Sequence, residues 1–288
     1  MTLHSSNSIQ QQPHLKQSFF QLTKEMFEID LHAWDAFGYW NTSYRTHCIE
    51  QDANIISNVA TSDAFLLLDD RSFQGKQIGT VMTAKPFQRQ GFATTLMEHV
   101  LEKYKDSDYL FLFANKYAAS FYEQFGFERV QQQKFSIPTK AIQFKQTEIK
   151  KLNFQDDNTR TFILDMLIHR LPISTKLGVL QNEMIVMFHI ISNWQAHLYY
   201  LPVLQTIVIG QQIGDVFVLA DVISKQPILL KELLPYLNVK NGTIQLGFTP
   251  SSFNGVDSMV VEDDFFYVKN QCDTPFPTNY YFPDLARA

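Results

Sequence analysis

The part of the sequence that most constrains its fold is Gln77–Phe127, where an apolar strand pattern leads through a glycine-containing turn into an amphipathic helix. Gln77–Thr83 is apolar and β-branched and ends before Pro86, where a strand ladder must stop. From Gly91 onward, apolar residues recur at three- and four-residue steps, which predicts a helix. Because a second apolar strand, Tyr109–Ala114, follows, we predict two parallel strands joined by a crossover helix.

The turn between that strand and that helix has the properties of a diphosphate-binding loop. A helix N-terminus presents unpaired backbone N–H groups and the positive end of the helix dipole, and both suit phosphate groups. Gly91 has no Cβ atom, so a ligand can approach the backbone closely. The candidate cradle residues are Gln88, Arg89, Gln90, Gly91, Phe92, Ala93 and Thr94, with Lys85 close by in the sequence.

Two motifs, in this order, resemble the GNAT superfamily of N-acetyltransferases. Gln88, Gly91 and Ala93 fit the family pattern of Gln or Arg, two residues, Gly, one residue, then Gly or Ala, between a strand and a helix. A strand, an Asn and a short helix that ends in an aromatic pair and Gly-Phe follow in the family. The matching residues here are Asn115, Phe121, Tyr122, Gly126 and Phe127.

The resemblance implies an N-acetyltransferase that moves an acetyl group from acetyl-CoA to a primary amine by direct attack. Backbone groups of Val81, Met82 and Thr83 would hold the pantetheine arm, and Asn115 would contact the cofactor or its bound water. Tyr122 would be the general acid that protonates the departing CoA thiolate. Each side chain also has a structural interpretation, because a helical Tyr is commonly a core residue and Asn115 could cap the next helix.

The residue that removes a proton from the amine is not identified by any motif. Glu50, Asp52, Asp69 and Asp70 are the candidates, directly or through water. Cys48 has no suitably spaced His, so we interpret it as a small buried hydrophobic residue rather than a nucleophile.

The length of 288 residues favours two domains. We predict a mixed α/β (α+β) architecture with a disordered lead-in at 1–15, a GNAT domain at 16–140 and an α+β domain at 141–288. The second half repeats a strand–helix–strand–strand order, which favours a degenerate GNAT-like domain over an unrelated one. Its turn Ser224–Pro227 has no Gly, so we expect this half to bind no CoA and to shape an acceptor cleft or a homodimer contact.

Further elements are predicted from periodicity and β-propensity. A first helix is expected over Gln17–Trp34. Trp34, Phe37, Trp40 and Tyr44 either line an acceptor pocket or pack this helix onto the sheet, and we favour the packing role. The predicted strands include Asn54–Val59, Ala64–Leu68, Phe127–Ser136, Met184–Ile191, Asp215–Ile223, Thr243–Phe248 and Asp264–Lys269.

Composition excludes several classes of function. The net charge of −5 is evenly spread, so neither nucleic acid nor an anionic membrane surface is an expected partner. Two distant cysteines make neither a disulfide framework nor a metal cage, and the acidic run Glu262–Asp264 is interpreted as a solvated turn, so no metal is expected. No apolar run approaches the ~20 residues of a membrane-spanning helix, and we expect a cytoplasmic protein.

Two alternatives to an enzyme that acts on a small-molecule or peptide amine stay open. The first is a non-catalytic acyl-CoA-binding or regulatory module, which would need the Gly91 cradle but no acid. The second is an interaction protein whose first domain is vestigial, although the intact cradle argues against it.

Overall fold

A computed structural model of the chain describes residues 2–239, 242–252, 254–262 and 265–288, with side chains from residue 9 onward. Within these residues the chain forms two mixed β-sheets and eight α-helices. The helices are α1 (Ser6–Gln11), α2 (Pro13–Phe27), α3 (His32–Ala36), α4 (Phe92–Lys103), α5 (Ala119–Glu123), α6 (Asp157–Ile168), α7 (Glu183–His189) and α8 (Leu230–Leu233). The strands are β1 (Thr2–Ser5), β2 (Tyr44–Gln51), β3 (Asn54–Leu68), β4 (Arg71–Thr83), β5 (Tyr109–Ala114), β6 (Glu128–Arg129), β7 (Gln132–Pro138), β8 (Lys150–Lys151), β9 (Leu177–Leu180), β10 (Leu198–Leu201), β11 (Thr206–Ile213), β12 (Val216–Ser224), β13 (Thr243–Leu246), β14 (Asp257–Val261) and β15 (Phe265–Asn270).

The two sheets share one pattern of strand directions. Sheet 1 has the order β1-β2-β3-β4-β5-β15-β6, with β9 added to β3, and only the β4–β5 pair among the described strands is parallel. Sheet 2, read from its β8 edge, has the order β8-β10-β11-β12-β13-β7-β14, and its parallel pair, β12–β13, occupies the same fourth interval. The strand before each parallel pair also has a register shift, at Asn58/Ala60 on β3 and at Ile209/Gly210 on β11. Sheet 2 therefore repeats the strand directions of sheet 1, and the prediction that the second half is a degenerate GNAT-like domain stays a prediction.

Each sheet takes its sixth strand from the other half of the chain. β15 lies between β5 and β6 in sheet 1, whereas β7 lies between β13 and β14 in sheet 2. The predicted strand Phe127–Ser136 is therefore divided between the two sheets, and the boundary that we predicted near residue 140 does not separate them. Asp264, the predicted first residue of the last strand, lies outside the described residues.

The inner faces of the two sheets share one hydrophobic core. Cys48 and Met82 of sheet 1 belong to the same buried cluster as Ile207 and Ile223 of sheet 2, together with residues of α2, α3, α6 and α7. Trp34, Trp40 and Tyr44 are buried in this cluster, which confirms their predicted packing role, whereas Phe37 is 37% exposed and does not belong to the cluster. On the outer faces, α4 and α5 cover sheet 1, and α8 covers part of sheet 2.

Several local predictions were wrong. Residues 2–11 form β1 and α1 instead of a disordered lead-in, and β1 pairs with β2. The predicted helix Gln17–Trp34 is two helices. α2 is capped by Glu28, which has a left-handed φ of 61°, and Trp34 belongs to α3. Asn54–Val59 and Ala64–Leu68 are parts of one strand, β3, which turns directly into β4 at Asp69 and Asp70 with φ of 45° and 64°.

The segment Met184–Ile191 was predicted to be a strand, but most of it belongs to helix α7. Its apolar residues Ile185, Val186 and Met187 are all buried, so the continuous apolar run reflects burial on several sides. The carbonyl of Met184 also accepts a 2.9 Å hydrogen bond from the Trp34 indole, which ties α7 to α3.

Candidate functional site

The parallel strands β4 and β5 separate partway along their length. They pair from Gly75 with Tyr109 to Ile78 with Leu112. Beyond this point β5 continues in its pairing with β15, while β4 continues to Thr83 in its pairing with β3. One edge of β4 therefore faces a gap, which we call the β4–β5 opening.

A β-bulge at Thr80 redirects β4 at the start of this opening. Ala60 pairs with Gly79 and Asn58 pairs with Met82, so β4 has one extra residue, and Thr80 adopts a φ of 40°. The fully buried Asn58 donates through Nδ2 to the carbonyl oxygen (2.9 Å) and the Oγ1 (3.2 Å) of Thr80. Tyr44 Oη lies 2.8 Å from the same Oγ1, and burial raises the pKa of Tyr44 to about 12. Asn58 and Tyr44 thus hold the bulge.

The N-terminus of α4 has free backbone donors. Gly91 is its N-cap with a φ of 85°, and its carbonyl accepts a 3.0 Å hydrogen bond from the amide of Thr95. The amides of Phe92, Ala93 and Thr94 precede that bond, and no side chain caps the helix. A Cβ atom on Gly91 would have no described atom within 4 Å, so the space in front of the helix is open.

The loop before Gly91 is braced by its own glutamine side chains. Gln88 Nε2 donates to the Thr83 carbonyl (3.0 Å), and Gln90 Nε2 donates to the Pro86 carbonyl (3.1 Å). Arg89 is exposed and has a left-handed φ of 61°. Gln88 and Gln90 therefore shape the loop, and Arg89 supplies a cation beside the helix N-terminus.

Loop, helix start and α5 enclose a cleft of about 330 Å³. Its lining includes seven of the predicted cofactor residues, whereas Val81, Met82, Gln90 and Asn115 do not line it. Met82 packs its side chain into the inner core, so only its backbone can face the opening. The lining residues are Thr83, Phe87, Gln88, Arg89, Gly91, Phe92, Ala93, Thr94 and Phe121.

Tyr122 has a buried ring and a hydroxyl group without an internal partner. The ring packs against Phe121 and Phe127 with centroid distances of 5.2 and 6.4 Å, and burial raises the pKa of Tyr122 to about 12. No described residue is hydrogen-bonded to Tyr122 Oη. This oxygen is not among the polar atoms that are both unpaired and fully buried, so it keeps some exposure to solvent. The hydroxyl therefore keeps its proton at neutral pH and reaches the protein surface.

Asn115 caps the turn that leads into α5. Its Oδ1 accepts hydrogen bonds from the amides of Tyr117 (2.9 Å) and Ala118 (3.1 Å). Capping was one of the two roles that the sequence predicted for Asn115. The other role, a contact with the cofactor, stays a prediction.

Two of the four candidate bases lie at the wrong end of β4. Asp69 and Asp70 form the turn before β4, so about ten residues of strand, on the order of 30 Å, separate them from Thr80. Asp69 is also bound by Lys176 at 2.7 Å. Glu50 and Asp52 lie at the β2–β3 turn, near the Thr83 end, and no distance singles out either of them as the base. Cys48 is fully buried, as predicted, and burial raises its pKa to about 12.

Residues from the C-terminal end of the chain also reach the opening, which local sequence patterns did not indicate. Gln77 Nε2 donates to the backbone oxygen of Ala288 (3.1 Å), and a Cβ on Gly79 would lie 2.9 Å from that same oxygen. The Arg287 guanidinium stacks over the Phe113 ring of β5 at 4.3 Å. This contact depends on long-range packing, so no motif could have predicted it.

The corresponding place in sheet 2 is filled by the chain itself. β12 and β13 pair only as far as Leu219 and Leu246, but Leu171 then bridges to Ser224 of β12. The amide of Asp284 donates to the carbonyl of Gly247 (2.8 Å) on the other side. α8 has only four residues, and no phosphate cradle precedes it.

The described part of the chain contains no group of three or more His, Cys, Asp or Glu side chains placed to hold a metal ion. Asp263 and Asp264 of the acidic run are outside that part. None of its helices combines the length and apolar character that crossing a bilayer requires.

Comparison with solved structures shows the fold of almost the whole chain. A probable N-acyltransferase from Enterococcus faecalis, described as a conserved protein of unknown function, is 14% identical, with a TM-score of 0.63 over 94% of this chain and 73% of that chain. A GCN5-related N-acetyltransferase from Kribbella flavida is 12% identical, with a TM-score of 0.58 over 94% and 72%. Eis1 from Mycobacterium abscessus is 12% identical, with a TM-score of 0.60 over 94% and 74%.

The comparison with curated proteins gave no match. In contrast, residues 5–130 match the family model of the acetyltransferase (GNAT) domain. This range contains the β4–β5 opening, the cradle before α4 and both motifs that carried the resemblance. Residues 5–130 are therefore similar in sequence to a GNAT acetyltransferase domain, and the chain as a whole has a fold similar to those solved structures.

Proposed function

We propose that this protein is an N-acetyltransferase that moves an acetyl group from acetyl-CoA to a primary amine. The observation that carries the proposal is the β4–β5 opening, in which an unpaired strand edge leads into an uncapped helix N-terminus. An extended amide chain that ends in a diphosphate matches both features.

The cosubstrate would be held mainly by backbone groups. The pantetheine arm would lie along the free edge of β4 at Val81–Thr83, as an added strand does. The diphosphate would accept hydrogen bonds from the amides of Phe92, Ala93 and Thr94, with Arg89 supplying positive charge.

The transfer step needs one acid and one proton acceptor. The amine nitrogen attacks the thioester carbonyl carbon, a C–N bond forms and the C–S bond breaks, and the departing thiolate takes the proton of Tyr122 Oη, which regains a proton from solvent. The amine loses its extra proton to water or to a base that we leave unassigned. With a pKa of about 12, Tyr122 is protonated at neutral pH and can donate.

The acceptor that we propose is a small-molecule or peptide amine. A second candidate function is a non-catalytic acyl-CoA-binding or regulatory module. It is favoured by the packing of the Tyr122 ring and by the capping role of Asn115, since both residues have structural functions without any chemistry.

A thiol-release assay with acetyl-CoA, run beside calorimetric titration with CoA, separates these candidates. The acceptor panel comprises polyamines, aminoglycosides, amino acids and peptides. Acceptor-dependent release of CoA supports the transferase. Binding of CoA without turnover on any acceptor supports the regulatory module, and the absence of binding contradicts both.

A further inference from the structure

The two faces of sheet 1 differ at the point where β4 and β5 stop pairing. Ile78 and Leu112 form the last pair of the two strands, and both side chains are buried in the outer cluster beneath α4. Because strand residues alternate between the faces of a sheet, the next residues, Gly79 and Phe113, belong to the inner face. Gly79 contributes no side chain, so the inner side of the β4–β5 opening needs another group to cover it.

Residues 287 and 288 provide that cover. The Ala288 backbone oxygen lies so close above Gly79 that an added Cβ would be 2.9 Å from it. The Arg287 guanidinium lies over the Phe113 ring, with its central carbon 4.3 Å from the ring centroid. One residue therefore rests on β4 and the other on β5, and together they bridge the inner side of the opening.

Hydrogen bonds hold this bridge of residues 287 and 288 in place. His189 Nε2 donates to the Arg287 carbonyl (2.6 Å), and Gln77 Nε2 donates to the Ala288 backbone oxygen (3.1 Å). Gln77 is only 2% exposed, and Leu285, which leads into the bridge, is 3% exposed. The bridge is therefore anchored in the packed interior rather than lying loosely on the surface.

The position that we propose for CoA leads its thioester to this bridge. A pantetheine arm beside Val81–Thr83 would run from the α4 cradle back toward Gly79. It cannot continue between the strands, because Ile78 and Leu112 are paired there. The outer face at this point is filled by buried side chains, so an acyl group would turn toward the inner side and meet residues 287 and 288.

We infer that residues 287 and 288 restrict the acyl group to acetyl or propionyl, and that Gln77 is the positioning residue for this restriction. The inference rests on the proposed function and names the groups that select its acyl-CoA. Acetyl and propionyl add one and two carbons beyond the thioester carbonyl, whereas hexanoyl adds five. The longer chain would have to occupy space that the Arg287 guanidinium or the Ala288 backbone already fills.

The test is calorimetric titration of the intact protein with acetyl-CoA and with hexanoyl-CoA in the absence of an acceptor. We expect hexanoyl-CoA to bind at least ~10-fold more weakly, because its chain forces the thioester away from Gly79. Phe113→Ala removes the ring under Arg287, and Gln77→Ala removes the donor to Ala288. Each variant should strengthen hexanoyl-CoA binding at least ~5-fold and change acetyl-CoA binding less than ~3-fold.

Phe266→Ala is the matched control, since Phe266 pairs with Phe113 and stacks on its ring but belongs to β15, away from the opening. It should leave the preference for acetyl-CoA unchanged. If Phe113→Ala does not fold, the Gln77→Ala titration decides alone.

Two results would overturn the inference and leave the proposed acetyl transfer standing. They are equal affinities of the two esters in the wild type, and a preference in Gln77→Ala that equals that of the wild type. Failure of both esters to bind would instead contradict the proposed function, and the inference with it.

Discussion

Two groups of side chains matter for the proposed chemistry: Tyr122, which is next to the cleft-lining Phe121 but does not itself line the cleft, and the residues that hold the backbone of the β4–β5 opening in place. Tyr122 presents a hydroxyl group without an internal partner, whereas Asn58 and Tyr44 act on the Thr80 bulge. Met82 contributes only its backbone, because its side chain is in the inner core. Substitutions in the two groups should therefore differ in their kinetic signatures.

Tyr122→Phe should lower kcat by about 10²-fold or more while the KM for acetyl-CoA changes less than ~3-fold, since the variant loses the acid but keeps the packed ring. Because the folded protein retains this proton below a pKa of about 12, the wild-type rate should show no alkaline loss from this group up to about pH 10. Steady-state kinetics with the best acceptor provide the measurement.

The control is Tyr267→Phe, which removes a hydroxyl group from a Tyr in the same buried cluster. Its kcat should stay close to that of the wild type. Equal activity of Tyr122→Phe and the wild type would refute the role of Tyr122 as the acid.

Asn58→Leu should lower kcat more than CoA affinity, because it removes the two hydrogen bonds that Asn58 Nδ2 donates to Thr80 and lets the bulge relax. We expect a loss of kcat of at least ~10-fold, and a stability cost of about 1–3 kcal/mol for the Thr80 carbonyl left unpaired. Thr61→Val is the matched control, since it removes the contacts of Thr61 Oγ1 with Tyr104 Oη and His47 Nε2, both at 3.2 Å, farther along β3. A similar kcat in both variants would assign Asn58 a purely structural role.

The element that matters most is the start of α4, which begins directly after Gly91 as predicted, while its role as a phosphate cradle stays a prediction. The strand, the turn and the amphipathic helix follow from short-range patterns, so this part of the site could be predicted from the sequence. Gly126 also ends α5 as predicted, with a φ of 80°. The α7 segment could not be predicted in the same way, because a continuous apolar run has no distinct period and packing decides its conformation.

Gly91→Ala should weaken CoA binding at least ~10-fold, because the new Cβ would project into the open space in front of the helix. Its stability should fall by only about 1 kcal/mol, the strain of a left-handed φ. Gly214→Ala is the matched control, since Gly214 also has a positive φ and open space but lies in the β11–β12 turn of sheet 2. Calorimetry and chemical denaturation measure the two quantities, and equal CoA affinities in both variants would contradict the cradle.

At the scale of the whole molecule, the two halves form one interleaved unit. The exchange of β7 and β15 and the tail contact at Gly79 join residues more than 100 positions apart. Local periodicity carries no information about such pairings, so the sequence indicated a repeated fold but not the exchange of strands. For the same reason, the sequence could not exclude Asp69 and Asp70 as candidate bases. Only the long β3–β4 hairpin shows how far these two residues lie from Thr80.

Arg170 should be a major contributor to the stability of this interleaved unit. It pairs with Asp221 of sheet 2 at 2.8 Å and donates to the Val179 carbonyl of sheet 1 at 2.8 Å. Both charged side chains are about nine-tenths buried, at 10% and 12% exposure. Arg170→Ala would therefore leave the buried Asp221 carboxylate without its ion-pair partner. We expect a loss of on the order of 3–5 kcal/mol in the free energy of unfolding.

Chemical denaturation provides that measurement, with Lys105→Ala as the control, because Lys105 pairs with Glu102 on the exposed surface. The control should leave the free energy of unfolding close to the wild-type value, because an exposed ion pair contributes little. A loss from Arg170→Ala no larger than that of the control would show that the ion pair does not join the sheets.

The central claim is that backbone amides at the start of α4 and the free edge of β4 together hold CoA. A crystal structure of the protein with CoA tests it most directly. We predict diphosphate oxygens within about 3 Å of the amides of Phe92, Ala93 and Thr94, and a pantetheine arm beside Val81–Thr83. A structure at saturating CoA that shows the ligand elsewhere, or no ligand at all, would contradict the account.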